Sequence, residues 1–376
     1  MSRSPSEGNR LGAATTSAFD VSRRTQSGAI GIAGCILAAG LVLLRLLARR
    51  PARRVGLAVI IPSAGRPEVL HDTVLSLHRQ SLQPAQIIVS VPDEDSVLPA
   101  TREWCDIVYG PKGSCHQRNR GVAAVRSDIE FVSFIDDDIE LRDDYFERLM
   151  RAFSAHPSLV LACGDELADG GVAYSDRVAL GIGRREARQM LADDRLYRRS
   201  PTTFMTEYVR DRWDVLSRVA DIACGVRGDW LPRWLIPANN MSIRRSVLHS
   251  VKFDERMPLY AWMEDYDFTL TCAKFGRVAR LMDCRLVHLG ATGGRVSPKR
   301  LGFVQVMNPI YIWSKRHRAY SVGSMLIFVA RILAGNIVGF PRHPSERWQR
   351  LQGNAQALAM ALRGDLRPER MADISD

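Results

Sequence analysis

The sequence predicts an α/β fold in which a mostly parallel central sheet is flanked by helices, and three observations carry that prediction. Short apolar runs recur at Leu57–Ile61, Ile87–Val91, Phe131–Ile135 and Leu159–Cys163, the length and composition of buried strands. Between them lie segments with helical spacing, such as Leu70, Val74 and Leu77 within a helix over about Pro67–Leu82. The first run closes on Pro62, Ser63, Ala64 and Gly65, and the third runs straight into three aspartates, as strands entering loops do. Alternation of this length builds a parallel sheet covered on both faces. Ligands of such sheets bind beyond the carboxyl ends of the strands. The loops Pro62–Arg66, Pro92–Asp95 and Asp136–Asp138 are therefore expected to converge on one site.

The remaining elements follow in order. Ile107–Tyr109 reads as a short strand, Ser114–Arg126 as a helix opening with polar groups, and Arg142–His156 as another helix. From Ala168 to about Pro237 the periodicity blurs among many arginines and the aromatic stretch Trp230–Trp234, so an irregular, partly mobile insert is expected. CRLVHLG, ending near Gly290, closes a strand at His288.

The 376 residues are 46% apolar and 25% charged, ordinary for a globular protein. Lys+Arg 52 against Asp+Glu 41 gives a net charge of +11, and only five of the cations are lysines. A basic balance admits nucleic acid, anionic lipid or phosphorylated substrates and by itself selects none. The seven cysteines are scattered, with no CxxC pair, which excludes a disulfide-stapled secreted domain and a zinc cluster.

Both ends of the chain point toward a membrane. Residues 1–24 are a polar tail, and Thr25–Leu44 is a run of twenty residues without a charge, long enough as a helix to cover about 30 Å of hydrocarbon. Three arginines flank it within about 15 residues before (Arg10, Arg23, Arg24) and five after (Arg45, Arg49, Arg50, Arg53, Arg54), which favours a cytoplasmic downstream domain. A signal peptide and a buried soluble helix are the rival readings. Val322–Phe340 is also apolar but carries Arg331 and Asn336 mid-segment. A charge at the centre of a span costs at least ~2.5 kcal/mol, so a helix lying on the membrane or packed on the domain is expected. Pro344–Leu362 reads as a further helix. The division that results is a 1–24 tail, a 25–48 transmembrane anchor, a 49–56 basic linker, a 57–295 catalytic domain and a 296–376 helical, amphipathic C-terminal region.

Four motifs carry chemistry. FIDDDIE places Asp136, Asp137 and Asp138 directly after a buried strand. Three carboxylates there repel one another unless a cation or protons compensate. If the segment is extended, Asp136 and Asp138 share a face, a geometry that suits Mg²⁺ or Mn²⁺ bridging to phosphate; a solvated acidic turn at a helix start is the alternative. QRNRG puts Arg118 and Arg120 near a helix N-terminus, where anionic phosphates are favoured, although an exposed basic face reads equally well. WMEDYDF gathers Glu264, Asp265 and Asp267 at a helix start, as a general base or as helix capping. His288 is a ligand or a structural histidine.

The order strand–PSAGR, strand–acidic loop, QRNRG, strand–DDD, ANN, EDYD and VxH, over about Leu57–Gly290, resembles the family-two glycosyltransferases of GT-A fold, of the bacterial cell-envelope and exopolysaccharide type. The resemblance implies roles for particular residues. Pro62, Ser63 and Arg66 stand in the first nucleotide-contacting loop. Arg118 corresponds to the arginine of an ARNxG segment near the diphosphate. Asp136 and Asp137 lie on the nucleotide side of the DxD element, and Asp138 is its direct metal ligand. Glu264 and Asp265 form the ED element, with Asp265 the base on the acceptor hydroxyl of an inverting reaction. His288 is similar to a histidine that completes the metal site, and Asn239 and Asn240 fall where a segment lines the sugar pocket. Where the family has a paired-acid VDDGS-like sequence, this chain reads IIVSVPDEDS, so holding the base falls to Asp93 or Asp95 or is lost.

The implied activity is transfer of a sugar from a nucleotide-sugar donor, with a divalent metal (Mn²⁺ or Mg²⁺), to a hydroxyl of a lipid-linked or polysaccharide acceptor. The implied setting is the inner membrane, single-pass, with the catalytic domain cytoplasmic and no nucleic acid partner. A sugar-nucleotide pyrophosphorylase is disfavoured because PSAGRPEVL has little glycine and no lysine. A catalytically degenerate transferase-like scaffold, or a basic membrane-surface binding protein, is the alternative.

Overall fold

A computed structural model describes residues 56–167, 184–192, 236–291, 296–315 and 321–375. The tail, the 25–48 anchor and nearly all of the 49–56 linker lie outside the described residues, as does most of the insert at 168–237. Within that insert, Arg184–Ala192 is a regular helix.

Eight strands form one sheet. They are β1 (Leu57–Pro62), β2 (Gln86–Val91), β3 (Asp106–Tyr109), β4 (Phe131–Ile135), β5 (Ile139–Leu141), β6 (Leu159–Glu166), β7 (Asn240–Arg244) and β8 (Arg277–His288), in the spatial order β3-β2-β1-β4-β7-β6-β8-β5. The half built from β3, β2, β1 and β4 is parallel. β7 then runs antiparallel between β4 and β6, and β5 antiparallel against β8. Both antiparallel strands are absent from the sequence reading. β5 has only three residues, and β7 begins in the ANN motif, whose apolar content is too low for the pattern to register.

Side-chain alternation along β1 divides the core. Leu57, Val59 and Ile61 face one way, into a cluster with Leu70, Val74 and Leu77 of α1 (Pro67–Leu77) and Tyr145, Phe146 and Leu149 of α3 (Tyr145–Ala155). Ala58 and Ile60 face the other way, toward Cys115 of α2 (Ser114–Ala123) and Phe268 of α5 (Glu264–Cys272). Helices cover both faces, which is why β1 is apolar at every position rather than at alternate ones. Arg184–Ala192 is α4.

Three helices beyond the sheet make a separate cluster: α6 (Pro298–Ser314), α7 (Val322–Val338) and α8 (Pro344–Leu362). α6 and α8 cross closely through glycines. A methyl at Gly353 would collide with the Lys299 carbonyl, and one at Gly302 with the Arg350 backbone. Among the described residues, no helix is long and apolar enough to cross a membrane, in line with the reading of 322–340 as something other than a span. Three helices are shorter than read: α1 stops at Leu77, α2 at Ala123, and α3 starts at Tyr145. Arg142–Asp144 instead form the turn that enters α3, closed by Tyr145 N–H donating to the Arg142 carbonyl.

Candidate active site

The carboxyl ends of β1, β2 and β4 meet as the sequence implies, and one side chain ties two of them together. Gln117 of α2 is 4% exposed, and its Nε2 donates to the carbonyls of Ser63 and Ser90, each at 2.7 Å. The glutamine stands in the QRNRG motif beside the arginine on which the sequence reading settled. Its amide is the group that can bridge two parallel carbonyl ends.

The three aspartates are sorted to different partners. The backbone turns at Asp137–Asp138 rather than staying extended, so the shared face expected of Asp136 and Asp138 gives way to separate surroundings. Asp136 accepts from Arg118 at 3.2 Å. Asp137 is fully buried and accepts from the Ser63 hydroxyl at 2.5 Å and from Arg66. Burial pushes its carboxyl up to about 7, against the pull of Arg66 and Ser63. Its side chain braces the first loop, which the resemblance places at the nucleotide. Asp138 accepts from Ala291 N–H at 2.9 Å, from Arg66 at 3.4 Å and from His288 at 3.1 Å. Burial alone would raise the Asp138 pKa, but these partners hold it below the ordinary carboxylate range. The same contact lifts His288 to about 9 despite its burial.

Strand register explains the last pairing. Ile139 of β5 is opposite His288 of β8, so the residue before β5 stands beside the histidine although 150 positions separate them. On the other side, Ile135 pairs with Asn240, and Asp136 N–H donates to the Asn239 carbonyl at 3.0 Å. Asn240 is buried and locks β7 to β6, accepting from Gly164 N–H at 2.6 Å. Asn239 keeps a buried Nδ2 without a hydrogen-bond partner.

Arg118 is 4% exposed at its side chain and bridges Asp136 to Glu264, the latter at 2.9 Å. The guanidinium also lies over the Phe253 ring, 5.4 Å from its centroid. Both of its charged contacts go to carboxylates of this chain, and it couples the DDD turn to the ED turn. With Glu264 Oε1 already held, Asp265 is the second carboxylate of the pair. Burial and the neighbouring Glu264 charge push it up to about 8, while the amides of Tyr266 and Ala238 and the charge of Arg118 oppose that rise.

The approach to α5 is strained. Leu259 and Met263 both adopt positive φ (54° and 73°), which costs a non-glycine residue about 1–3 kcal/mol and persists only where the surroundings hold it. Asn308 of α6, fully buried, donates to the carbonyls of Trp262 at 2.7 Å and Ala261 at 3.3 Å. Lys315, just past α6, pairs with Asp254 at 2.7 Å and with Asp267 of α5 at 2.6 Å. Neither residue was legible as part of a site, since each acts from a helix more than 40 positions downstream.

Of the two acids proposed for the base, Asp93 is tied to the first loop. It accepts from Ser96 N–H and Oγ (3.0 and 2.7 Å), and Ser96 Oγ accepts from Gly65 N–H. Asp95 is exposed in the middle of the short 3₁₀ turn Glu94–Ser96, which Asp93 caps.

The donor chemistry fits a divalent ion on a two-residue basis. Asp138 and His288, 3.1 Å apart, are the carboxylate and imidazole that would hold such an ion. No set of three His, Cys, Asp or Glu side chains converges among the described residues. The other positions would come from substrate phosphate and water, as is usual for Mg²⁺.

Residues 58–207 match the family model described as glycosyl transferase family 2. That segment is similar to the family over about two-fifths of the chain, and the described residues form a GT-A-like mixed α/β fold. The matched segment contains the DDD turn and Arg118 and ends before the ED turn and His288. No curated protein matches the sequence. Among solved structures, TarS of S. aureus is similar at a TM-score of 0.42 and 14% identity, over 81% of this chain and 55% of that one, so the chain spans little more than half of it. TarS 1-349 gives 0.44 and 13%, over 82% of this chain and 92% of that one. The same fragment in complex with UDP gives 0.44 and 14% over the same shares.

Proposed function

We propose that this protein is a glycosyltransferase that moves a sugar from a nucleoside-diphosphate sugar to a hydroxyl of a glycan or lipid-linked acceptor, with inversion, at the cytoplasmic face of a membrane to which residues 25–48 anchor it. The observation that supports this reading most is the Arg118 bridge, which unites the donor-side aspartates and the ED carboxylates in one site.

Asp265 is the base. Its raised pKa matches the task, because a carboxylate of ordinary acidity is a poor acceptor for a hydroxyl proton near neutral pH. It takes the proton as the acceptor oxygen attacks the anomeric carbon. The bond from that carbon to the diphosphate oxygen breaks on the opposite face, and the nucleoside diphosphate leaves with the electron pair. Arg118 and Glu264 hold the base in place, and Asn239 offers a free amide donor beside Asp136. Ser63, Arg66 and Asp137 fix the first loop, and Asp93 and Pro62 border it on the nucleotide side. A divalent ion held by Asp138 and His288 would supply charge neutralisation for the departing diphosphate.

The test is calorimetric titration of the full chain in detergent with UDP-, GDP- and dTDP-sugars, with and without Mn²⁺, alongside Asp138→Ala. Metal-dependent binding of one nucleotide class, lost in the variant, is expected. Absence of binding across the whole panel by folded protein overturns the reading and leaves the scaffold alternative.

A further inference from the structure

Helix α7 is built inside out. Its exposed positions are Val322, Leu326, Ala330, Ala334, Gly335, Ile337 and Val338, and none of them is polar. Leu326, Ile337 and Val338 are 58%, 60% and 78% exposed. The polar side chains of the helix lie elsewhere. Ser324 and Asn336 are buried, and Arg331 is half-buried and has a partner. Asn336 donates to Asn354 of α8 at 2.8 Å and accepts from Arg347 at 3.0 Å, while Asn354 donates to the Gly302 carbonyl of α6 at 2.6 Å. A helix on a domain surface in water shows the reverse distribution, apolar inward and polar outward.

The surroundings indicate what covers this face. Phe340 (38% exposed) follows α7 and Trp348 (56%) is exposed in the first turns of α8, with Arg342 and His343 exposed in the turn between the two helices. Across residues 321–363 there are five arginines and one acidic residue, Glu346. Apolar side chains rimmed by aromatics and arginine match the depth profile of a bilayer surface with anionic headgroups. The chain ahead of the described residues holds the twenty uncharged residues 25–44, followed by five arginines.

We propose that the outer face of α7, with Phe340 and Trp348, seats on an anionic lipid surface as a second membrane contact, and that the buried Asn336–Asn354–Arg347 network exists to keep its polar groups away from lipid. The proposal rests on the membrane-anchored reading above and adds a contact that the anchor alone does not require.

The test uses the full chain, with Cys35, Cys105 and Cys224 replaced by serine, bearing single nitroxide labels at Leu326→Cys, Ile337→Cys or Glu103→Cys. The label at 103 serves as the control on an exposed residue far along the chain. Each protein, first checked for an unchanged thermal transition, is reconstituted into vesicles of phosphatidylglycerol and phosphatidylcholine and recovered by flotation. Collision with oxygen and with a water-soluble nickel chelate is then read by electron paramagnetic resonance. Labels at 326 and 337 are expected to show an oxygen-to-nickel ratio about tenfold above that at 103, because lipid dissolves oxygen and excludes the chelate. Nickel access at 326 and 337 in floated protein overturns the proposal and leaves the anchor standing. Protection from both reagents overturns it too, by showing that protein covers the face: a second copy, or the 25–44 run itself. Failure to float refutes the anchored reading and the proposal together.

Discussion

Asn308→Ala tests whether the strained turn before α5 is what positions the candidate base. The side chain makes one close and one longer hydrogen bond to the carbonyls of Trp262 and Ala261. Such bonds contribute about 1 kcal/mol each, and an abandoned buried acceptor costs about 1–3 kcal/mol. Against that, Asn308 Oδ1 is itself buried without a partner, so alanine also removes an unfavourable group. The net loss of global stability is therefore small, about 1–2 kcal/mol. Locally the balance differs. The tether opposes the strain of Met263 at φ 73°, itself about 1–3 kcal/mol, and without it the turn relaxes toward negative φ and carries Glu264 and Asp265 with it. Each 1.36 kcal/mol is tenfold, so kcat falls about 10- to 100-fold while the melting temperature drops by only a few degrees. The assay is release of nucleoside diphosphate from the donor in the presence of acceptor, with kcat and KM separated and thermal unfolding measured in parallel. Met263→Gly in the same background restores most of kcat, because glycine holds positive φ without strain. Asn308→Ala with kcat within twofold of the parent, or no recovery in the double variant, refutes the reasoning.

Three other expectations follow from the structure. With Asp265 lifted to about 8, kcat/KM rises with pH and levels off above that value, and Asp265→Asn lowers it by about 10²–10⁴ and abolishes the rise; a flat profile from pH 6 to 9 in the parent contradicts the assignment. The same raised pKa stabilises the fold fully below the ordinary carboxylate value of about 3.9 and loses that contribution as pH climbs through 8, which denaturant titrations at pH 5 and 8.5 measure. Gly353→Ala places a methyl against the Lys299 carbonyl and Phe303 nitrogen, where only backbone can yield, and costs about 1–3 kcal/mol. Gly335→Ala, in an exposed helical position with nothing within 4 Å, gains up to about 1 kcal/mol from helix propensity. Opposite shifts in melting temperature are expected, and equal shifts would show that the α6–α8 crossing is not tight.

What the sequence determines by itself is local. The runs at β1, β2, β4 and β6 are apolar at nearly every position because both sheet faces are covered, so their place and parallel packing are readable before any coordinates. The DDD, ED and His elements are likewise visible, because clustered charge beside a buried strand has few uses. Everything that assigns those groups to tasks depends on separations of tens to hundreds of residues. Arg118 meets Glu264 across 146 positions, and His288 meets Asp138 across 150, through a β5–β8 register that three residues of β5 are too short to announce. For the same reason the pattern could not show that Asp137 turns inward to Ser63 and Arg66, or that Arg118 bridges Asp136 and Glu264. It also could not show that Asn308 braces the turn before Glu264 and Asp265 from another helix, or that α7 points its polar groups inward. A motif fixes which chemistry is available at a point on the chain. Which partner each group finds is a property of the sheet order and helix packing that bring distant points together.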